Sequence, residues 1–221
     1  MPVAAKICGL SSIAALDAAI AGGAAAVGFV CYPRSPRHVT TAAVQALSRR
    51  VPPGVTRVGL FVDPEDHLLV ERTNDRGLDM LQLHGGETPQ RVAEIRQRFG
   101  LPVMKAIKLA TTADLDIARR YANVADRILF DAAEPPPERM KGLQALPGGN
   151  GLPFDWTLLA NAPDFGLPWT LGGGLTPDNV ADAVRATGAK AVDVSTGVEE
   201  SRGVKSPALI TKFLAALAAL P

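Results

Sequence analysis

The chain has 221 residues, 47% of them hydrophobic, with 23 Lys and Arg set against 22 Asp and Glu. A formal net charge of +1 gives no reason to expect nucleic acid or an anionic membrane as partner. No apolar run is long enough to span a bilayer and the N-terminus lacks a secretory pattern, so the expected setting is the cytoplasm.

The first strand-like run, beginning near Val3, ends in Lys6-Ile7-Cys8-Gly9-Leu10, and an alanine-rich helix is expected over 13–21. Further strands begin near Val27, Arg57, Met80, Val103, Arg127, Trp169 and Ala191. The helices between and after them are expected over 41–49, 64–76, 89–99, 112–121, 154–160, 177–187 and 207–219. Thr88-Pro89, Thr176-Pro177 and Ser206-Pro207 each put proline just after a capping hydroxyl, and Gly22, Gly77, Gly100 and Gly188 stand where helices should stop. Eight strands, each followed by a helix, predict an α/β fold: a single (β/α)8 TIM barrel over residues 1–221. The nearly continuous apolar strands suit a parallel sheet buried on both faces. The stretch 133–153, with Pro135-Pro136-Pro137 and Gly148-Gly149-Asn150-Gly151, reads as a long loop after the sixth strand, either functional or a surface excursion.

Cys8 ends the first strand and Asp131 ends the sixth, in Arg127-Ile128-Leu129-Phe130-Asp131. In a parallel barrel both would face one pocket at the carboxyl end. A thiolate there could act as a base, and Lys6, on the same strand face, is a cation that would favour it. A small cysteine is also common as inert core packing, so Cys8 alone decides nothing. An acid at the end of an apolar strand is costly to bury without a partner or a purpose. The structural alternative for Asp131 is pairing with a basic neighbour such as Arg127. Cys8 and Cys31 could in principle pair, but nothing else suggests a disulfide scaffold, and both are expected reduced. His38, His67 and His84 are scattered, which offers no metal site.

After the second strand, Arg34-Ser35-Pro36-Arg37-His38 sets cations among stiffening prolines, and Arg37 suits bidentate capture of a carboxylate. Near the C-terminus, Leu171-Gly172-Gly173-Gly174-Leu175 leads into an expected helix. Val194-Ser195-Thr196-Gly197-Val198 leads into Glu199-Glu200, where a short helix could open. Glycines let backbone N–H groups approach a phosphate, and loops after strands seven and eight are where such sites recur. The plainer reading is a tight strand-to-helix turn.

Together these segments resemble the phosphoribosylanthranilate isomerase family of tryptophan biosynthesis. The likeness runs through Lys6–Leu10, 28–39, Val58–Asp63, Leu81-Gln82-Leu83-His84-Gly85, Phe130-Asp131, Gly148–Gly151 with Phe154-Asp155-Trp156, Leu171–Leu175 with Asn179, 192–202 and Lys205-Ser206-Pro207. The resemblance implies a barrel that performs an Amadori rearrangement on a small phosphosugar, without cofactor or metal. It makes Asp131 the general acid and Cys8 the general base. It gives Arg37 to the anthranilate carboxylate, and Gly173, Gly174, Ser195 and Thr196, with Asp193 nearby, to the phosphate. The sequence departs from the family in the loop after strand six, where Asn150 replaces a threonine and Leu152-Pro153 leaves no lysine. A related isomerase of histidine biosynthesis would be expected to carry aspartate in place of Cys8. A barrel that merely binds a phosphorylated metabolite would need none of Cys8, Asp131 and Arg37.

Overall fold

The computed structural model describes residues 2–74, 77–133, 155–160, 162 and 164–220. Eight parallel strands lie in sequence order: β1 (Ala4–Cys8), β2 (Ala26–Val30), β3 (Thr56–Phe61), β4 (Met80–Leu83), β5 (Val103–Leu109), β6 (Arg127–Ala132), β7 (Trp169–Leu171) and β8 (Ala191–Val194). β8 pairs with β1, which closes the barrel. Helices α1 (Ile13–Ala21), α2 (Thr41–Ser48), α3 (Asp66–Thr73), α4 (Pro89–Phe99), α5 (Asp114–Arg119), α6 (Thr157–Ala160), α7 (Val180–Thr187) and α8 (Pro207–Ala218) follow the strands in turn. The expected (β/α)8 architecture is therefore observed. No helix among the described residues is long and apolar enough to cross a membrane.

Side chains alternate across each strand, so each strand serves two cores. Ile7, Phe29, Phe61, Leu83, Phe130 and Leu171 face the helices and belong to one continuous, fully buried cluster. Met104, Ala106 and Leu129, with Met80 against them, fill the barrel interior as a separate cluster. Burying each large apolar side chain contributes about 1.5–3 kcal/mol, which is why these strands carry few polar residues. The polar exceptions on the inner face, among them Lys6, Gln82 and Asp193, therefore call for partners.

Thr88 and Ser206 cap α4 and α8 through their hydroxyls, as expected. The Thr176-Pro177 expectation is corrected: α7 begins only at Val180. The Asn179 side chain accepts from the Thr176 N–H and donates to Gly174 O, which holds the preceding residues in a turn. α3 ends at Thr73 rather than running on toward Gly77, with the Thr73 hydroxyl bonded back to Leu69 O. α5 starts at Asp114, whose carboxylate takes the N–H groups of Ala110 and Thr111.

The helix considered at Glu199-Glu200 is also corrected. A 3-10 turn at Thr196–Val198 leads instead into an antiparallel hairpin, β9 (Glu199–Ser201) and β10 (Val204–Lys205). Gly203 turns it in the left-handed region at φ 88°, where a Cβ would meet Pro36 O at 2.8 Å. Beyond Ala133, the expected loop over 133–153 lies outside the described residues, as does the start of the helix expected over 154–160.

Candidate active site

β1 ends at Cys8 and Asp131 is the penultimate residue of β6, so parallel closure puts both at the carboxyl end of the barrel. Alternation turns both inward. Cys8 is 3% exposed and the Asp131 side chain 14%. Cys8 is the register partner of Gly28, where a Cβ would fall 2.9 Å from Sγ. Glycine at that position leaves room beside the sulfur.

Beneath Cys8, Lys6 Nζ donates to Asp193 Oδ1 at 2.8 Å, with both side chains nearly buried. Burial works against the Lys6 ammonium, but Asp193 and then Cys8 outweigh it and hold its pKa above the ordinary lysine value. Burial pushes the Cys8 thiol up, Lys6 pulls it back, Asp193 pushes it up again, and the net remains above the ordinary thiol value. Cys31 shows the contrast. Burial drives its thiol up to about 12 with only weak opposition, and its Sγ rests near Phe29 O. Both cysteines are unpaired thiols.

Asp131 does not turn to Arg127. Its Oδ2 lies 3.1 Å from His84 Nε2, and His84 Nδ1 lies 2.9 Å from Gln82 Nε2. Its Oδ1 accepts the Ala132 N–H at 3.0 Å. Gln82 and His84 lie in the segment that carried part of the family resemblance, yet sequence reasoning gave them no role. The signal was there: in Met80-Leu81-Gln82-Leu83-His84 the two polar residues stand two apart, both on the inner face of an otherwise apolar run.

Arg37 is buried in an ion cluster rather than standing on a loop tip. Its Nε donates to Glu199 Oε1 at 2.6 Å, while Nη2 donates to Glu199 Oε2 at 3.0 Å and to Thr196 Oγ1 at 3.2 Å. Lys205 Nζ joins Glu199 Oε1 at 2.6 Å and also donates to Ser195 O and Oγ. Burial alone would raise the Glu199 carboxyl, but the Arg37 hydrogen bond and the Lys205 charge hold it down at about 2. Burial lowers the Lys205 pKa against the pull of Glu199. Glu199 and Lys205 were also missed, because a charge in a short hairpin does not show in sequence that it folds inward.

The two glycine-bearing loops meet. A Cβ on Gly197 would lie 1.8 Å from Leu175 O, so only glycine lets the loop after β8 press against the loop after β7. Gly173 and Gly174 sit at φ 77° and 66°, and among the described residues their N–H groups make no hydrogen bond. Ser195 and Thr196, in the loop that meets theirs through Gly197, are tied to Lys205 and Arg37. Asp193 is one layer deeper, held by Lys6. The barrel thus gathers every expected site residue at one end, in three groups: Cys8 with Lys6 and Asp193, Asp131 with His84, and Arg37 with the two loops.

Residues 5–216 match the family model described as N-(5'phosphoribosyl)anthranilate (PRA) isomerase. The chain belongs to this family. A relative named N-(5'-phosphoribosyl)anthranilate isomerase, from Rhodospirillum centenum, is 57% identical over 221 residues, covering 100% of both chains. Another from Paracoccus denitrificans is 52% identical over 215 residues, 97% of each. Among solved structures, the Thermotoga maritima phosphoribosyl anthranilate isomerase superposes with a TM-score of 0.85 at 32% identity, covering 99% of this chain and 100% of that one. A phosphoribosyl anthranilate isomerase in complex with reduced 1-(o-carboxyphenylamino)-1-deoxyribulose 5-phosphate superposes at 0.83, with 32% identity and 99% and 100% coverage. Membership in the PRA isomerase family carries across the whole barrel, loops after β7 and β8 included.

Proposed function

We propose that Asp131 and Cys8 run an Amadori rearrangement as general acid and general base in one barrel mouth, with the chain acting as a single domain. As a member of the PRA isomerase family the chain is an isomerase of tryptophan biosynthesis. It takes N-(5-phosphoribosyl)anthranilate to 1-(2-carboxyphenylamino)-1-deoxyribulose 5-phosphate. Asp131 gives a proton to the furanose ring oxygen as the bond from that oxygen to C1′ breaks, and the anthranilate nitrogen lone pair forms the imine. Cys8, as thiolate, takes the proton from C2′, and the electrons of that C–H bond move to neutralise the imine as an enolamine. Loss of the C2′ hydroxyl proton and gain of one at C1′ complete the ketone, so the step is redox-neutral overall.

One observation carries this reading: the acid and the thiol stand on strands six and one of a closed parallel barrel, both at its carboxyl end. Lys6 supplies the nearby cation that a thiolate needs. Gly173 and Gly174 would offer N–H groups to the phosphate, with Ser195 and Thr196 adding hydroxyls and Asp193 steadying the floor through Lys6. Arg37, oriented by Glu199, would take the anthranilate carboxylate. The partner is a small phosphosugar, and the reduced thiols suit the cytoplasm. A histidine-pathway isomerase is disfavoured by cysteine at position 8.

The test is loss of phosphoribosylanthranilate fluorescence on adding purified protein. Turnover supports the proposal, and a stable signal at micromolar protein overturns it.

A further inference from the structure

Gln82 has no exposed surface, sits on the inner face of β4, and leaves its Oε1 buried without a partner among the described residues. Met80 and Met104 fill neighbouring interior positions with apolar side chains. A buried, half-satisfied amide is costly, so its remaining hydrogen bond must matter. That bond goes to His84 Nδ1, 2.9 Å away. An amide nitrogen only donates, so Nδ1 must present its lone pair and the ring proton must be on Nε2. The amide turned over would strand both N–H donors instead of one N–H and the acceptor, and an orphaned N–H is the costlier of the two. His84 Nε2–H then points at Asp131 Oδ2, 3.1 Å away.

We propose that His84 is a positioning residue for Asp131, turned by Gln82 so that its Nε2–H is held on Oδ2 and fixes how the carboxyl faces the barrel mouth. The Nε2–H on Oδ2 and the Ala132 N–H on Oδ1 together fix the rotation of the carboxyl, and so the direction in which its proton is offered. His84 is itself only 5% exposed, which suits a residue acting through Asp131 rather than on the substrate.

The inference rests on Asp131 being the acid, so the experiment includes Asp131→Asn beside His84→Ala, His84→Gln and Gln82→Leu, with kcat and KM measured for each. The expected result for His84→Ala is a fall in kcat of about 10–100-fold with KM within about twofold. His84→Gln can set an amide N–H about where Nε2 stood and should recover most of that loss. Gln82→Leu keeps the volume but frees the other tautomer, and should lower kcat by about tenfold at unchanged KM. Full activity in Asp131→Asn would overturn the acid assignment, and this inference with it. Loss of activity in Asp131→Asn with kcat within twofold of the parent in Gln82→Leu would overturn the positioning role alone. His84→Gln no better than His84→Ala would do the same. If His84→Ala does not fold, Gln82→Leu and His84→Gln decide.

Discussion

Lys6 Nζ lies 2.8 Å from Asp193 Oδ1, and the two residues are register partners on the first and last strands, whose pairing closes the barrel. The ion pair therefore exists only when the barrel is shut, and it sets a fixed positive charge under Cys8. With Cys8 as the proposed base, the pair would serve the chemistry as well as the fold.

Lys6→Met removes the cation that pulls the Cys8 thiol down, while burial still pushes it up. The thiolate is the reactive form and its pKa already lies above the ordinary value, so the rate should rise with pH in the parent. In the variant the rising limb of kcat/KM should move further toward alkaline pH, with about a tenfold loss at neutrality. A limb at the parent position would remove Lys6 from the account.

Arg37→Ala should act mainly on binding. A charge-assisted hydrogen bond to the anthranilate carboxylate is worth about 1.5–3 kcal/mol, or about ten- to a hundredfold in KM. Lys205 would remain to neutralise Glu199 in the folded variant. An unchanged KM would exclude the clamp.

Glu199→Gln leaves Arg37 and Lys205 buried beside each other without their shared carboxylate, which should cost about 3–5 kcal/mol in a denaturant titration. The carboxyl is held down at about 2 from an ordinary 4.5, so its stabilisation is complete above the ordinary value and is lost as pH falls through about 2. The gap between parent and variant should accordingly narrow from pH 4.5 downward. A gap independent of pH across that window would mean that the charge contributes nothing.

The barrel was legible because apolar strands alternate with capped helices, and the period of each element shows in the chain itself. Cys8 and Asp131 were legible as ionisable groups breaking apolar runs at strand ends. The hairpin at 199–205 was not, because its geometry is set by what Glu199 finds beyond β1 in the loop after β2, 162 residues away in sequence at Arg37. The true start of α7 was hidden for a similar reason: Asn179 caps a turn that belongs to the loop after β7, overriding the local signal of Thr176-Pro177. The His84–Asp131 pair depends on long-range closure too, with β4 and β6 brought to either side of β5.

The account stands most directly on kcat for two single variants, Cys8→Ala and Asp131→Asn, assayed by phosphoribosylanthranilate fluorescence after circular dichroism has shown each to be folded. Each should lose about 10²–10⁴-fold or more in kcat, since each removes one of the two proposed proton carriers. Turnover within twofold of the parent in either folded variant would contradict a mechanism built on the sulfur of β1 and the carboxyl of β6.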